Sequence, residues 1–167
     1  VCIMLHDGTL NRTCRTASGG ELPERVSASS WTLAQISELD AGLFRGEEFR
    51  GTRVPTLAET LSLLRGTGVV LKLDNVFESF DEACFETFCR TVAEADMEEQ
   101  IAFTCKTMPY FSYLEEKFPR AEMHYDGMLT EEALSSAARL AGDRLTVWIP
   151  YDNEATAWFR GRKADEA

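Results

Sequence analysis

Two histidines and a handful of carboxylates carry most of the chemistry this chain could perform, and each sits at the end of an apolar run or directly after it. Val1 to Leu5 leads into His6-Asp7-Gly8, Val69 to Leu73 into Asp74-Asn75, and Ile101 to Thr104 into Cys105-Lys106. Glu122 to Tyr125 holds His124 and leads into Asp126-Gly127, while Leu145 to Ile149 holds Trp148 and leads into Pro150-Tyr151-Asp152. An imidazole titrates near neutrality, so His6 is either a general acid or base or a cap bonded to a nearby carbonyl. Asp7 before Gly8 reads as a turn aspartate, or as a group that orients a histidine or touches a metal. Lys72 and Asp74 lie two apart on a strand and share a face opposite Leu71 and Leu73. Buried there, they form an ion pair, or Asp74 ligates a hard cation such as Mg2+ or Ca2+. His124 stands between supporting a site and capping its strand, Trp148 between core packing and site lining, and Lys106 between a phosphate contact and an ordinary loop lysine.

These residues need elements to bring them together. The five apolar runs predict strands, and the hydroxyl-x-x-Glu/Gln signatures Thr32/Gln35, Thr56/Glu59 and Ser79/Glu82 predict helix starts. A stripe of Phe80, Ala83, Cys84, Phe88 and Val92 marks an amphipathic helix from Phe80 to about Ala93. Further helices are expected near Tyr110 to Lys117, Glu131 to Ala141 and Glu154 to Arg160, with Gly66, Gly68 and Gly142 as stops. The stretch from Gly8 to Ser30 is long and irregular, which is the habit of functional or mobile loops. Alternating strands and helices imply an α/β fold with a parallel sheet and function at the carboxyl ends of its strands. An open five-stranded sheet would be complete at this length, whereas a (β/α)8 barrel takes about 250 residues, so pattern alone leans to the open sheet.

Composition narrows the classes. The 167 residues suit a single domain over 1–167, and 44% hydrophobic with 27% charged residues is ordinary for a globular chain. Seventeen basic against 28 acidic side chains give a net charge of −11, which argues against nucleic acid and anionic lipid as partners. An anionic small substrate then requires local neutralisation, for which a metal ion is one means. No run is long enough for a membrane span. Five cysteines without a Cys-x-x-Cys pair indicate reduced thiols and a cytoplasmic setting. An apolar run at residue one suggests a piece of a longer polypeptide.

More specific is the stretch His6-Asp7-Gly8-Thr9-Leu10-Asn11-Arg12-Thr13, which resembles the His-Asp-x-x-Leu-x-Arg-Thr-Thr segment of the glycerophosphodiester phosphodiesterases, in the phospholipase-C-like phosphodiesterase superfamily. Thr32-Leu33-Ala34-Gln35-Ile36-Ser37-Glu38-Leu39-Asp40-Ala41-Gly42 and Val54-Pro55-Thr56-Leu57-Ala58-Glu59-Thr60-Leu61 are similar to two further family segments, in the family's order, and Val147-Trp148 is similar to the Val-Trp of its seventh strand. The resemblance implies a partial TIM barrel holding strands three to seven, without the first two strands and the last. It implies a hydrolase of lipid metabolism that splits glycerophosphodiesters into glycerol 3-phosphate and an alcohol. In that reading His6 is acid and base, Asp74 a ligand of Mg2+ or Ca2+, and Asp7, Lys72, His124 and Trp148 bind substrate. Asp74 stands where the family has Glu, and Val76 where it has a phosphate-side lysine, a role that Lys72 could take instead. Arg12 and Thr13 order the long loop. The chain alone is expected to be inactive. A noncatalytic binding module of the same fold, or a complete five-stranded open domain, is the competing reading; the latter lacks a glycine-rich phosphate loop after Leu5.

Overall fold

The computed structural model describes residues 1–149, which fall into two compact units: Val1–Arg65 with Asp81–Ala95, and Gly66–Phe80 with the described residues from Asp96 onward. The expectations for Pro150-Tyr151-Asp152 and for a helix from Glu154 to Arg160 lie outside the described residues.

The first unit is held by isolated antiparallel bridges, Ile3 with Thr56, Thr9 with Ser27 and Arg15 with Asp40. Val1 to Leu5 is therefore not the strand its apolar run predicts. Its bonds run to the segment ahead of a helix instead, Met4 N–H to the Pro55 carbonyl at 2.8 Å and Leu57 N–H to the Cys2 carbonyl at 2.9 Å. With only one bridge formed there is no ladder. The loop from Gly8 to Ser30 is organised rather than loose. Asn11 donates to the Glu24 carbonyl at 2.5 Å and accepts from Val26 N–H at 2.8 Å. Leu10, Cys14 and Leu22 thereby reach a core with Ile36, Leu39 and Val54.

Helices α1 (Leu33–Ser37) and α2 (Leu57–Leu64) each begin at a reciprocal capping box, Thr32 with Gln35 and Thr56 with Glu59, as the spacing predicts. Helix α3 (Glu82–Ala95) corrects its expected start. Asp81, not Ser79, caps it by accepting from Cys84 N–H at 2.8 Å, because Ser79 still belongs to the preceding 3-10 turn, where its hydroxyl donates to the Val76 carbonyl at 2.6 Å. Its buried residues are Phe88, Cys89 and Val92; Cys84 is half-buried and Ala83 is exposed. Within this unit α3 packs on α2, and Arg65 donates to the carbonyl of Ala95.

The second unit carries four parallel strands, β1 (Leu71–Leu73), β2 (Ile101–Cys105), β3 (Glu122–Tyr125) and β4 (Leu145–Val147), in that spatial order, where five were expected. The register pairs Lys72 with Ala102, Thr104 with His124, and His124 with Thr146. Side chains alternate across a strand, so Lys72, Ala102, Thr104, His124 and Thr146 share one face, while Leu73, Phe103, Cys105, Met123 and Tyr125 share the other. Helices α4 (Met108–Lys117) and α5 (Glu131–Ala141) follow β2 and β3. Phe103 lies 5.1 Å from Phe118 between ring centroids, and Phe111 of α4 meets Tyr125 edge-on at 6.1 Å. These contacts place the apolar core on the second face, with Phe77 against Phe103 at 6.3 Å. Thr130 caps α5 at Ala133, and Gly142 ends it with φ of 53°, a left-handed geometry costly for any residue with a Cβ. Among the described residues no helix is long and apolar enough to cross a membrane.

Candidate active site

In the first unit the site is built on the turn after Leu5. Arg12 reaches back five residues and grips Asp7 with both arms, Nε to Oδ2 at 2.5 Å and Nη2 to Oδ1 at 3.0 Å. His6 Nδ1 lies 2.8 Å from Asp7 Oδ1. The guanidinium first, and the imidazole second, hold the Asp7 carboxyl at about 2, well below the usual range. An ionised carboxylate only accepts, so Nδ1 carries the proton and Nε2 is left as the working nitrogen. The ring is 87% exposed, open to a reactant. Expected as a substrate contact, Asp7 has both oxygens engaged by its neighbours. Arg12 does more than order the loop: it fixes the carboxylate that fixes the histidine. A short stretch explains why this was partly legible, since His6-Asp7 and Arg12 are separated by one turn.

Beneath the loop, Asp40 is buried and accepts three backbone N–H bonds, from Gly42 at 2.8 Å, Leu43 at 2.9 Å and Gly51 at 2.7 Å. The Gly51 bond is the main cause of its lowered pKa.

In the second unit, Lys72, His124 and Trp148 converge on the polar face. Trp148 Nε1 donates to His124 Nδ1 at 3.2 Å, and the Lys72 ammonium sits 4.2 Å from the centre of the indole ring. On the far side of the imidazole, His124 Nε2 is 3.4 Å from Glu122 Oε2, a partner missed in the sequence although residues two apart on a strand share a face. Trp148 is 44% exposed rather than part of a buried strand: β4 ends at Val147, and none of its three residues is buried. Lys72 and Asp74 are exposed too, which overturns the expected buried pair. Lys72 lies in the middle of the short strand β1 and Asp74 just past its end, and among the described residues β1 pairs with β2 alone, so both side chains stand in water, where pairing gains little. Asp74 accepts from Asn75 N–H at 3.0 Å, opening a short 3-10 turn that runs to Ser79 and leaves Val76 exposed.

Further polar groups gather where β1, β2 and β3 end. Asn75 Nδ2 donates to Asp126 Oδ2 at 3.3 Å, and Glu78 accepts from the N–H groups of Lys106 and Thr107. Lys106 itself belongs to this loop closure through its backbone. Gly127 is obligatory at its place, since a Cβ would collide with the Lys106 carbonyl oxygen and the Tyr125 hydroxyl. Thr104 is buried beside His124 in the register, and its hydroxyl has no hydrogen-bond partner among the described residues.

Among the described residues no three His, Cys, Asp or Glu side chains gather closely enough to hold a metal ion. Asp74 offers one carboxylate, whereas Mg2+ and Ca2+ take about six to eight oxygens. The described donor set therefore does not fit a divalent cation by itself. All five cysteines are free thiols, and burial, with the Glu78 charge, pushes the Cys105 thiol far up.

Comparison with known proteins agrees with the resemblance in the sequence. Over 62 residues the chain is 39% identical to a glycerophosphodiester phosphodiesterase from Caldanaerobacter subterraneus subsp. tengcongensis, a match covering 37% of the chain and 22% of that protein. No family model matches the chain. Its fold is similar to part of that of a glycerophosphoryl diester phosphodiesterase from Parabacteroides distasonis, at a TM-score of 0.65 and 18% identity over 95% of this chain and 52% of the other. A glycerophosphodiester phosphodiesterase from Agrobacterium tumefaciens gives 0.55 at 17% identity, covering 95% and 73%. An Oleispira antarctica phosphodiesterase, solved with its product sn-glycerol-3-phosphate, gives 0.55 at 16%, covering 95% and 71%. The chain thus spans about half of the first of these structures and about a fifth of the curated relative.

Proposed function

We propose that the chain is part of a glycerophosphodiester phosphodiesterase, which hydrolyses a glycerophosphodiester to glycerol 3-phosphate and an alcohol. In this reading the chain belongs to one barrel domain, β1 to β4 taking the places of strands four to seven and the segment 1–5 that of strand three. The observation that carries the reading is the Arg12–Asp7–His6 chain of hydrogen bonds, found within the segment that resembles the family motif.

The chemistry follows from that chain. The departing alkoxide is a poor leaving group, so protonation in the transition state lowers the barrier. Asp7 pins the imidazole through Nδ1, which keeps Nε2 in one orientation and stabilises the cation formed when Nε2 takes a proton. Neutral, His6 removes a proton from the attacking oxygen; charged, it delivers one to the leaving oxygen. Arg12 keeps Asp7 ionised throughout. Lys72, His124 and Trp148 are assigned to substrate binding, with Asp7 acting through His6. A dependence on Mg2+ or Ca2+ belongs to the same proposal, with Asp74 as one ligand among others that the described residues do not supply. A cytoplasmic location is proposed on the reduced thiols alone.

Release of choline from glycerophosphocholine by the full-length protein, assayed with and without Mg2+ or Ca2+, tests the reading. We expect hydrolysis that is lost in His6→Ala. Wild-type protein that binds sn-glycerol 3-phosphate yet releases no alcohol from any glycerophosphodiester would instead favour a noncatalytic binding module.

A further inference from the structure

The Lys72–Trp148 pair deepens the proposed function, and rests on it for the class of ligand. The chain carries a net charge of −11, so carboxylates are in excess over cationic side chains. Among the described residues none lies within ion-pair distance of Lys72, although Asp74 stands two positions away on the same face. Its ammonium is held 4.2 Å from the indole centre instead. A ring face attracts a cation through its quadrupole and carries no net charge. It therefore positions the lysine without neutralising it, which a carboxylate partner would do. The ring is in turn held by its own N–H bond to His124, whose far nitrogen faces Glu122. Glu122, His124, Trp148 and Lys72 form a line that ends in a positive charge with no ion-pair partner among the described residues, on the polar face of the sheet.

We propose that Trp148 is a positioning residue for Lys72, and that the two together recognise the oxyanion of a phosphate ester. The lysine makes the contact with a phosphoryl oxygen; the tryptophan acts through it.

The experiment measures affinity by calorimetry for inorganic phosphate and for sn-glycerol 3-phosphate, on the full-length protein and four variants whose folding is checked by circular dichroism. Lys72→Met is expected to weaken both ligands about tenfold or more, the worth of a charge-assisted contact. Trp148→Leu, which removes the ring, should weaken both about threefold to tenfold. Trp148→Phe keeps a ring face while losing the bond to His124, and should weaken both ligands less than Trp148→Leu does. The double variant Lys72→Met/Trp148→Leu should bind no more weakly than Lys72→Met, because the tryptophan has nothing left to position. Full affinity in Trp148→Leu, additive losses in the double variant, or wild-type protein that binds neither ligand would each overturn the proposal. If the variants behave as expected in a protein that hydrolyses no glycerophosphodiester, the anion site stands and the enzymatic reading falls. If the protein hydrolyses its substrate and Lys72→Met binds both ligands undiminished, the enzymatic reading stands and the anion site falls.

Discussion

Trp148 donates its indole N–H to Nδ1 of His124 at 3.2 Å, joining the end of β4 to the middle of β3. Indole nitrogen can only donate, so the acceptor nitrogen must be bare and the imidazole proton must sit on Nε2, towards Glu122. Nitrogen-15 correlation spectra of the histidine rings should accordingly show His124 as the Nε2–H tautomer, and Trp148→Phe should shift it towards a mixture. An Nδ1–H signal in the wild-type protein would contradict this assignment.

The Arg12–Asp7–His6 chain makes a kinetic prediction. Asp7→Asn puts an amide donor or a weaker acceptor against Nδ1, and Arg12→Met releases the carboxylate. Each should lower kcat in the full-length enzyme, His6→Ala by about 10²-fold to 10⁴-fold and the other two by less, with KM changed little. Carbon-13 titration of the Asp7 carboxyl checks the cause: its midpoint, at about 2 in the intact chain, should rise in Arg12→Met.

Asp40 predicts acid sensitivity in the first unit. Its folded-state pKa is depressed, chiefly by the Gly51 N–H, so its contribution to stability is complete above the unfolded-state pKa of a carboxyl. That contribution fades as pH falls below about 4 towards the folded value. Asp40→Asn should lower Tm at pH 7 and flatten the dependence of Tm on pH below 5, as followed by thermal circular dichroism. A variant as acid-labile as wild type would place the sensitivity elsewhere.

Thr104 offers a stability test that also reports on ligands. A buried hydroxyl without a partner forfeits its hydration, at about 1–3 kcal/mol, and Val has nearly the same shape without that cost. Thr104→Val should therefore raise stability to urea by about 1 kcal/mol. A destabilised variant would mean that the hydroxyl is bonded in solution, to water or a ligand.

Local spacing foretold some elements and misled on others. The capping boxes at Thr32 and Thr56 were readable because a hydroxyl and a carboxyl or amide three apart meet through a single turn. The start of α3 misled because two acceptors, Ser79 and Asp81, compete within three residues, and the backbone at Ser79 is still part of the preceding 3-10 turn. Val1 to Leu5 has the composition of a strand, yet a strand exists only where a neighbour completes its ladder, and its carbonyl and N–H groups pair with Pro55 and Leu57.

The α/β alternation, the capping boxes at Thr32 and Thr56, the His6-Asp7 and Arg12 motif and the family resemblance were legible in the order of residues, since all of these are local or ordered along the chain. Tertiary structure alone decided that Trp148 would reach His124 and Lys72 across 24 and 76 positions of sequence, and that Lys72 would stack on a ring rather than pair with Asp74. The physical reason is register: which side chains meet across parallel strands depends on how Lys72 aligns with Ala102, Thr104 with His124 and His124 with Thr146, and no single segment carries that alignment.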